Sequence, residues 1–427
     1  MVFDIEGMDK LIIEHSGPLR GTVTLNGAKN AVLPIMAACL LTDEESVIEG
    51  VPHVTDVLTM AEILRQLGVL VDFSGDRLTI RPGRYEGIIA SYELVSLMRA
   101  SICVLGPLLI RQGTAKVSMP GGCVIGPRPI DLHLKGLSAL GASFVIEHGY
   151  ILGSCHGLRG RRVQLGGTRG SSVLATGNVM MAASLAQGTT MIEQAACEPE
   201  VVDLANCLIA MGARIEGQGT PLIRIEGVPR LHGARYRIIP DRIEAGTLMI
   251  AAAISGGELM IDGAKAEHLG AVIDKLSEAN VQIEKLNGAL RVRAPERTQA
   301  VDITTLPFPG FPTDLQAQMM ALMAVSRGVS VLTEKVYPDR FMHISELNRM
   351  GAQIAREAES AIVKGVEQLS GETVVASDLR ASAALILAAL AAQQQTELQG
   401  VEHLDRGYQG LEQKLAHLGA NIRRIRE

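Results

Sequence analysis

The amino-acid sequence predicts an α/β protein of two inside-out α/β barrel domains, each made of three repeated βαβ-type units with buried helices and outer sheets. Two observations lead to this prediction. A pair of helices with a strand between them recurs six times along the chain, about every 70 residues. The two helices of each pair also differ in polarity, since the first is almost entirely apolar and the second has a charged face.

The first helix of each unit is rich in Ala, Leu, Ile and Met and carries few charges, as in VLATGNVMMAASLA and LRASAALILAALA. A helix that is apolar on nearly every face is predicted to be buried. The six first helices are predicted to begin at Lys29, Met98, Val173, Ile243, Thr313 and Leu379.

The second helix of each unit has apolar residues at helical spacing and polar residues between them, as in TDVLTMAEILRQLG. Strands such as RLTIRP alternate in the way that half-exposed strands do. Each second helix is followed by a residue that accepts the left-handed conformation, which predicts where the helix stops. These predicted stops are Gly68, Gly141, Gly212, Asn280, Gly351 and Gly419.

Three such units would surround one bundle of buried helices, so the six units predict two domains. The boundary is expected where the third and fourth units meet, near Tyr236 to Pro240. The first domain is then 29–239 and the second is 1–28 plus 240–427. An active site is expected in the cleft between them.

Composition excludes several classes of function. The net charge of −6 disfavours a general polyanion binder, so no nucleic-acid partner is expected. The six cysteines show no CxxC pair, so neither disulfides nor a metal site is expected. The N-terminus has no apolar signal segment, and the Ala-rich runs are interrupted before the length that spans a bilayer. These features predict a cytoplasmic protein without membrane insertion.

Arginines recur near the predicted helix starts, where the helix dipole disfavours positive charge. Such placement costs stability unless an anion binds there, which suggests a site for a phosphate-bearing molecule together with Lys29. The alternative is that each charged residue is an ordinary cap or surface ion pair. The arginines in question are Arg99, Arg128, Arg340, Arg380 and Arg406.

The segment MPGGCVIGPRPID places Cys123 among glycines and prolines, five residues before Arg128. A glycine-rich loop is suited to a lid that closes on substrate, and a nearby arginine favours ionisation of a thiol. Cys123 would then donate a proton or attack an electrophile. An incidental buried cysteine in a turn explains the same pattern, because free cysteine often behaves as a small apolar residue.

The segment PFPGFPTDLQAQ places Asp314 at the start of a predicted buried helix. Asp314 is either an N-cap or a carboxylate that acts as a base for a hydroxyl group. The local pattern does not separate these two roles.

The chain resembles the enolpyruvyl transferase family, in particular the members that act on UDP-N-acetylglucosamine. The resemblance covers nearly the whole chain and lies in the segments NGAKNAVLPI, PGGCVIGPRPIDLH, EPEVVDLAN, PDRIEAGT, FPTDLQAQ, DRFMHISEL, SDLRASAALILA and DRGYQGLEQKL, with the shorter core MRAS. It implies two inside-out domains of six similar units. It also implies transfer of the enolpyruvyl group of phosphoenolpyruvate to the sugar 3′-hydroxyl, without metal or organic cofactor.

The resemblance implies roles for individual residues. Lys29, Arg128 and Arg406 would bind phosphoenolpyruvate, Cys123 would protonate C3 and form a covalent adduct, and Asp314 would contact the 3′-hydroxyl. The remaining residues that would contact the substrates are Asn30, Arg99, Pro129, Ile130, Asp131, Leu132, Ser172, Val173, Val336, Arg340, Asp378 and Arg380.

Two positions depart from the family pattern, and two other functions stay open. Leu174 replaces a glycine common in the family, and Gly170 stands where some members have lysine; both changes concern the expected contact with UDP and leave the catalytic set intact. The sister enzyme acting on shikimate 3-phosphate shares the chemistry, and a non-catalytic UDP-sugar-binding regulator would share the fold. The Cys123 loop and the complete catalytic set disfavour both alternatives. The resemblance further implies peptidoglycan synthesis, inactivation by fosfomycin and no obligate protein partner.

Overall fold

The structure is a computed structural model that describes residues 9–83, 89–90, 98–119 and 130–426. The described residues form two compact units, a first unit within 27–239 and a second unit of 9–26 and 240–426. Each unit has a hydrophobic core of its own. The domain bounds 29–239 and 1–28 plus 240–427, and a cleft between the domains, stay predictions.

The helices of the first unit pair an apolar helix with an amphipathic one. They are α1 (Lys29–Ala38), α2 (Thr55–Gln66), α3 (Leu105–Gln112), α4 (Asp131–Ala139), α5 (Val173–Ala183) and α6 (Pro199–Ala210), with 3₁₀ segments at Cys39–Leu41 and Arg99–Val104.

The helices of the second unit repeat this pairing. They are α7 (Arg242–Ser255), α8 (Gly270–Glu278), α9 (Gln316–Val325), α10 (Ile344–Arg349), α11 (Leu379–Ala391), α12 (Glu402–Asp405) and α13 (Leu411–His417), with 3₁₀ segments at Ala266–His268 and Thr313–Leu315.

The strands are short and all belong to small sheets. The first two, which belong to the second unit, are β1 (Lys10–Ile13) and β2 (Arg20–Thr24). Those of the first unit are β3 (Ser46–Glu49), β4 (Leu70–Ser74), β5 (Arg77–Arg81), β6 (Ile89–Ala90), β7 (Thr114–Ser118), β8 (Ser143–Glu147), β9 (Tyr150–Ser154), β10 (Arg162–Gln164), β11 (Gly166–Gly167), β12 (Gly170–Ser171), β13 (Thr189–Glu193), β14 (Arg214–Glu216), β15 (Leu222–Glu226) and β16 (Arg235–Arg237).

The remaining strands follow in the second unit. They are β17 (Glu258–Asp262), β18 (Gln282–Leu286), β19 (Ala289–Arg293), β20 (Ile303–Thr305), β21 (Val329–Glu334), β22 (Gln353–Glu357), β23 (Ser360–Lys364), β24 (Leu369–Ser370), β25 (Thr373–Val375), β26 (Ala392–Gln393), β27 (Thr396–Gln399) and β28 (Ile422–Ile425).

The sixfold repeat corresponds to six four-stranded sheets, three in each unit. Their strand orders are β16-β3-β5-β4, β6-β7-β9-β8 and β10-β13-β15-β14 in the first unit, and β2-β17-β19-β18, β20-β21-β23-β22 and β25-β27-β1-β28 in the second. Each sheet has one parallel pair followed by two antiparallel pairs. Within the described ranges the sheets of a unit are not hydrogen-bonded to one another, so neither barrel is closed by backbone pairing.

The first helix of each unit lies in the core, as predicted. Every residue of α7 from Ile243 to Ile254 is buried, and so is every residue of α11 from Arg380 to Leu390. The sheets lie outside these helices and alternate buried residues with more exposed ones, as in β5 and β15. The inside-out α/β arrangement is thus confirmed.

All six predicted helix stops have a positive φ. The angles are 85° at Gly68, 111° at Gly141, 100° at Gly212, 70° at Asn280, 90° at Gly351 and 101° at Gly419. These residues are glycine or asparagine because other side chains are strained in this region.

The predicted helix at Met98 differs from the structure. Residues Arg99–Val104 form a 3₁₀ segment, and α3 begins only at Leu105. Pro107 explains this break, because proline has no N–H to donate and its ring clashes with the carbonyl four residues earlier unless it lies in the first turn of an α-helix. Thr313–Leu315 is likewise 3₁₀, so α9 begins at Gln316.

A membrane-spanning helix needs about 20 consecutive, mainly apolar residues. Within the described ranges, no helix combines the length and apolar character needed to span a membrane.

Candidate functional site

Asp314 of the second unit is held between two arginines that are distant in sequence. Its Oδ1 accepts a hydrogen bond from Nη1 of Arg340 at 2.8 Å, and its Oδ2 accepts one from Nη2 of Arg380, also at 2.8 Å. The arginine side chains are only 7% and 6% exposed, whereas that of Asp314 is 25% exposed. The carboxylate is thus the part of this cluster that solvent reaches.

The two arginines fix the ionisation state of Asp314. Burial alone would raise the pKa of Asp314, but the charges and hydrogen bonds of Arg380 and Arg340 hold it well below its usual range. Burial likewise favours loss of charge from Arg380, and the Asp314 carboxylate outweighs it and raises the arginine pKa. The cluster is an anion with two cations, and Asp314 stays ionised at any physiological pH.

Asp378 and Tyr408 hold Arg380 in place. Asp378 is the N-cap of α11, and its Oδ1 accepts the backbone N–H of Arg380 at 2.8 Å and that of Ala381 at 3.1 Å. The guanidinium of Arg380 lies 5.4 Å from the centre of the Tyr408 ring, within cation–π distance. The Tyr408 hydroxyl is in turn 2.8 Å from that of Thr247.

The arginine at the start of α11 therefore has its anion within the protein. A cation in the first turn of a helix is disfavoured by the dipole. The structure offsets this cost with the carboxylates of Asp378 and Asp314, whereas the sequence pattern suggested a bound anion.

Arg406 follows a helix instead of starting one, contrary to the sequence-based expectation. It lies at the C-terminal end of α12, and the next helix, α13, begins only after Gly410, where φ is 61°. The preceding residue, Asp405, is bound by both Nη atoms of Arg424 at 2.8 and 2.6 Å. This bidentate ion pair ties the Arg406 segment to β28.

In the first unit, Lys29 forms a short ion pair. Its Nζ lies 2.6 Å from Oδ2 of Asp56, with the two side chains 13% and 3% exposed. Lys29 is the first residue of α1 and Asp56 lies in the first turn of α2, so two helix starts meet at this pair. Asn30 is the second residue of α1.

Arg99 begins the second 3₁₀ segment of the first unit and lies near a buried histidine. Burial, with a smaller contribution from the Arg99 charge, lowers the pKa of His133 to about 3. The neutral ring lies 3.1 Å from Nδ2 of Asn178, which also donates to the Ile102 carbonyl at 2.8 Å. Asn178 thus anchors the segment that carries Arg99.

The other sequence-predicted residues of the first unit lie at the starts of two helices. Ile130 precedes α4, with Asp131 and Leu132 in its first turn. Ser172 is the N-cap of α5, where its Oγ accepts the N–H of Ala175 at 3.3 Å, and Val173 is the first helical residue.

A sequence model for EPSP synthase (3-phosphoshikimate 1-carboxyvinyltransferase) matches residues 13–415 of the chain. The chain belongs to the EPSP synthase family. This transferase is 52% identical over 415 residues to UDP-N-acetylglucosamine 1-carboxyvinyltransferase 1 of Caldanaerobacter subterraneus subsp. tengcongensis, over 97% of this chain and 99% of the relative. It is 53% identical over 423 residues to UDP-N-acetylglucosamine 1-carboxyvinyltransferase of Gluconacetobacter diazotrophicus, over 98% of this chain and 100% of the relative.

Solved structures agree with the fold. The enolpyruvyl transferase NikO from Streptomyces tendae matches with a TM-score of 0.88 and 25% identity, over 99% of this chain and 100% of the other. The EPSP synthase from Acinetobacter baumannii matches with a TM-score of 0.74 over 98% and 100% of the two chains, and its 17% identity bears on the fold alone.

Within this EPSP synthase family member, the structure brings Asp314, Arg340, Asp378 and Arg380 together through hydrogen bonds. Lys29 is instead paired with Asp56, which belongs to the first unit. The sequence-predicted residues Cys123, Arg128 and Pro129 lie outside the described residues. Gly170 has a φ of 94°, where a lysine would be strained.

Sequence reasoning missed the residues that hold the transferase's predicted site residues. Asp56, Tyr408 and Arg424 each contact a site residue or its neighbour from a distant part of the chain. In the sequence, Asp56 is indistinguishable from an ordinary acidic residue in the first turn of a helix. Its near-complete burial is the distinguishing signal, and a single sequence does not reveal it.

Proposed function

We propose that the chain transfers the enolpyruvyl group of phosphoenolpyruvate to the 3′-hydroxyl of UDP-N-acetylglucosamine and releases phosphate. The observation that carries this proposal is the identity of 51–53% over nearly the full length to relatives named for this reaction. The ionised carboxylate of Asp314, exposed at the edge of an otherwise buried arginine pair, supports it.

In this proposal the second unit receives the sugar hydroxyl. A carboxylate with a pKa far below its usual range is a weak base, so Asp314 first accepts a hydrogen bond from the 3′-hydroxyl and orients it. The proton moves towards Asp314 only as the new bond to C2 forms. Arg340 and Arg380 keep the carboxylate in place throughout, which is the preorganisation that lowers a reaction barrier.

The phosphate of phosphoenolpyruvate is assigned to Lys29, Arg128 and Arg406. An ammonium group has three donors, so Lys29 is suited to bind Asp56 and a phosphate oxygen together. Asn30, next in α1, and Arg99 are assigned to substrate contacts on the same unit.

The chemistry is an addition followed by an elimination. The sugar oxygen bonds to C2 of phosphoenolpyruvate while the Cys123 thiol gives its proton to C3. The C2–O bond to phosphate then breaks as a proton leaves C3, which restores the double bond. The UDP-sugar itself is assigned to Ile130, Asp131, Leu132, Ser172, Val173 and Val336, together with Pro129.

The same proposal places the reaction at the start of peptidoglycan synthesis in the cytoplasm, where it would serve cell-wall growth, cell shape and division. A thiol at Cys123 implies alkylation and inactivation by fosfomycin. Small molecules are the only partners that this function needs.

Product analysis tests the proposal. The protein is incubated with phosphoenolpyruvate and either UDP-N-acetylglucosamine or shikimate 3-phosphate, and the products are identified by mass spectrometry and NMR. We expect an enolpyruvyl ether on the 3′-oxygen of the UDP-sugar and no product from shikimate 3-phosphate. A product from shikimate 3-phosphate, or UDP-sugar binding without any product, would overturn the assignment.

A further inference from the structure

We propose that Glu334, a buried carboxylate at the end of β21, is a positioning residue that sets both Asp314 and the Val336 turn for the acceptor sugar. This inference rests on the proposed function, because the proposed function assigns Asp314 and Val336 to the UDP-sugar. Glu334 has no exposed surface, so it acts through its neighbours and not by touching substrate.

Four donors converge on the Glu334 carboxylate. Oε1 accepts the backbone N–H groups of Val336 and Tyr337, both at 2.8 Å, and the hydroxyl of Thr305 at 2.5 Å. Oε2 accepts the hydroxyl of Thr313 at 2.8 Å. All four donors are uncharged. Burial of a carboxylate is unfavourable unless its oxygens accept hydrogen bonds, and these four donors provide them.

One branch of this network reaches Asp314. The Thr313 hydroxyl donates a hydrogen bond to Glu334, so its oxygen lone pairs face away from Glu334 and act as acceptors. It accepts Nη1 of Arg340 at 3.0 Å, and the same Nη1 binds Asp314 Oδ1 at 2.8 Å. Glu334 thus fixes the direction of Thr313, which fixes Arg340 and, through it, the carboxylate.

The other branch shapes the turn after β21. Two successive N–H groups, of Val336 and Tyr337, bind the same Glu334 oxygen, which closes the backbone around it. The Lys335 N–H donates to Thr305 at 3.1 Å. The turn that carries Val336 is therefore held by side chains from β20 and β21.

The repeat offers an internal comparison. Strands β3, β13, β17 and β27 have the same sheet position as β21. The residues just beyond them are Gly50, Gln194, Gly263 and Gly400, all at positive φ. In the fifth repeat the strand instead continues through Glu334. Strand β7 also has this position and is followed by Met119. The fold is therefore built five times without an acidic residue there, which favours a role for Glu334 in the site beyond folding.

The test compares Glu334→Gln with a matched pair, Thr313→Val and Thr305→Val. Each threonine variant removes one hydroxyl from the same carboxylate, but only Thr313 also contacts Arg340. For Glu334→Gln and Thr313→Val we expect kcat/KM for UDP-N-acetylglucosamine to fall about 10- to 100-fold, as small displacements of catalytic groups do. The KM for phosphoenolpyruvate should stay within about twofold in all three variants. Thr305→Val loosens the Val336 turn but leaves the Thr313–Arg340–Asp314 contacts in place, so it should raise the KM for UDP-N-acetylglucosamine while kcat stays within about threefold.

The outcomes separate this inference from the proposed function. Wild-type protein without transfer to the UDP-sugar refutes the proposed function, whereas an active wild type with unaffected Glu334→Gln and Thr313→Val variants refutes only the positioning role. A loss of thermal stability in Glu334→Gln with unchanged kinetic constants per folded molecule also refutes only the positioning role. If Glu334→Gln does not fold, the threonine pair decides, and a kcat that falls equally in Thr313→Val and Thr305→Val overturns the inference.

Discussion

The Lys29–Asp56 pair of the first unit and the Asp314 cluster of the second combine opposite charges in different proportions. In the first, one lysine is paired with one carboxylate that is 3% exposed. In the second, one carboxylate is paired with two arginines that are 7% and 6% exposed. In both, the residue assigned to substrate is the more exposed partner, and the more buried partners hold it in place.

The difference in proportion has chemical consequences. Both oxygens of Asp314 are bound by guanidinium groups, which leaves a firmly oriented and weakly basic acceptor. Lys29 meets the Asp56 carboxylate through an ammonium group, whose three donors are able to serve more than one oxygen. The first pair is suited to holding an anion and the second to orienting a hydroxyl group.

The largest expected effect is on the lysine side. Lys29→Ala should lower kcat/KM for phosphoenolpyruvate about 1,000-fold, because it removes a cation that we propose binds the phosphate. Steady-state phosphate release measures this effect. Lys135→Ala, which alters an exposed lysine of α4, is the control and should match the wild type. Less than a tenfold loss in Lys29→Ala would remove Lys29 from the phosphate site.

On the carboxylate side, Asp314→Asn should reduce kcat about 100-fold. It should also lower the free energy of unfolding by about 2–3 kcal/mol, somewhat less than for a fully buried pair because Asp314 is 25% exposed. Asp56→Asn should cost less stability, since it leaves one unpaired cation and not two. Urea unfolding of the three proteins checks the order, and an equal loss in both variants would contradict the comparison.

The two units also contain buried histidines that predict a pH effect on stability. Burial lowers the pKa of His133 to about 3 and that of His343 to about 4. Both rings stay neutral in the folded protein, while the unfolded chain takes up protons below its ordinary histidine pKa of about 6.5. Stability should therefore fall with falling pH between about 6.5 and 4, with a limiting slope of about 1.4 kcal/mol per pH unit for each histidine.

Unfolding curves from pH 7.5 to 4.5 measure this slope. His133→Asn and His343→Asn should each reduce it by the contribution of one proton. A slope unchanged in both variants would show that other groups cause the acid sensitivity.

The smallest expected effect concerns the helix caps. Ser172→Ala should destabilise the protein by about 1 kcal/mol, because its Oγ accepts a single, rather long bond from Ala175. Asp378→Ala should cost about 2 kcal/mol, since that cap binds two N–H groups and adds negative charge at the start of α11. Thermal unfolding compares them, and the reverse order would contradict this account of the caps.

Local features of the fold were predictable from sequence, and long-range pairings were not. The helix stops at Gly68 and Asn280 follow from backbone conformations that few residues adopt, so single positions reveal them. The break before α3 was missed although Pro107 signals it, because the apolar periodicity continues across the break. Burial of the first helices followed from their composition.

The site was predictable only as a set of residues. That Asp314 contacts Arg380 depends on two segments 66 residues apart lying side by side, which no local pattern encodes. The position of Arg406 was predicted incorrectly because DRGY resembles a helix start, whereas Gly410 delays α13. The partners Asp56 and Glu334 look like ordinary acidic residues until their burial is known.

We propose that Lys29 and Asp314, which belong to different units, serve one reaction. The initial rate of phosphate release from phosphoenolpyruvate, measured with and without UDP-N-acetylglucosamine for the wild type, Lys29→Ala and Asp314→Asn, tests it most directly. We predict release by the wild type only when both substrates are present, and a severe loss in each variant. Release that does not require the UDP-sugar, or a full rate in either variant, would contradict the claim.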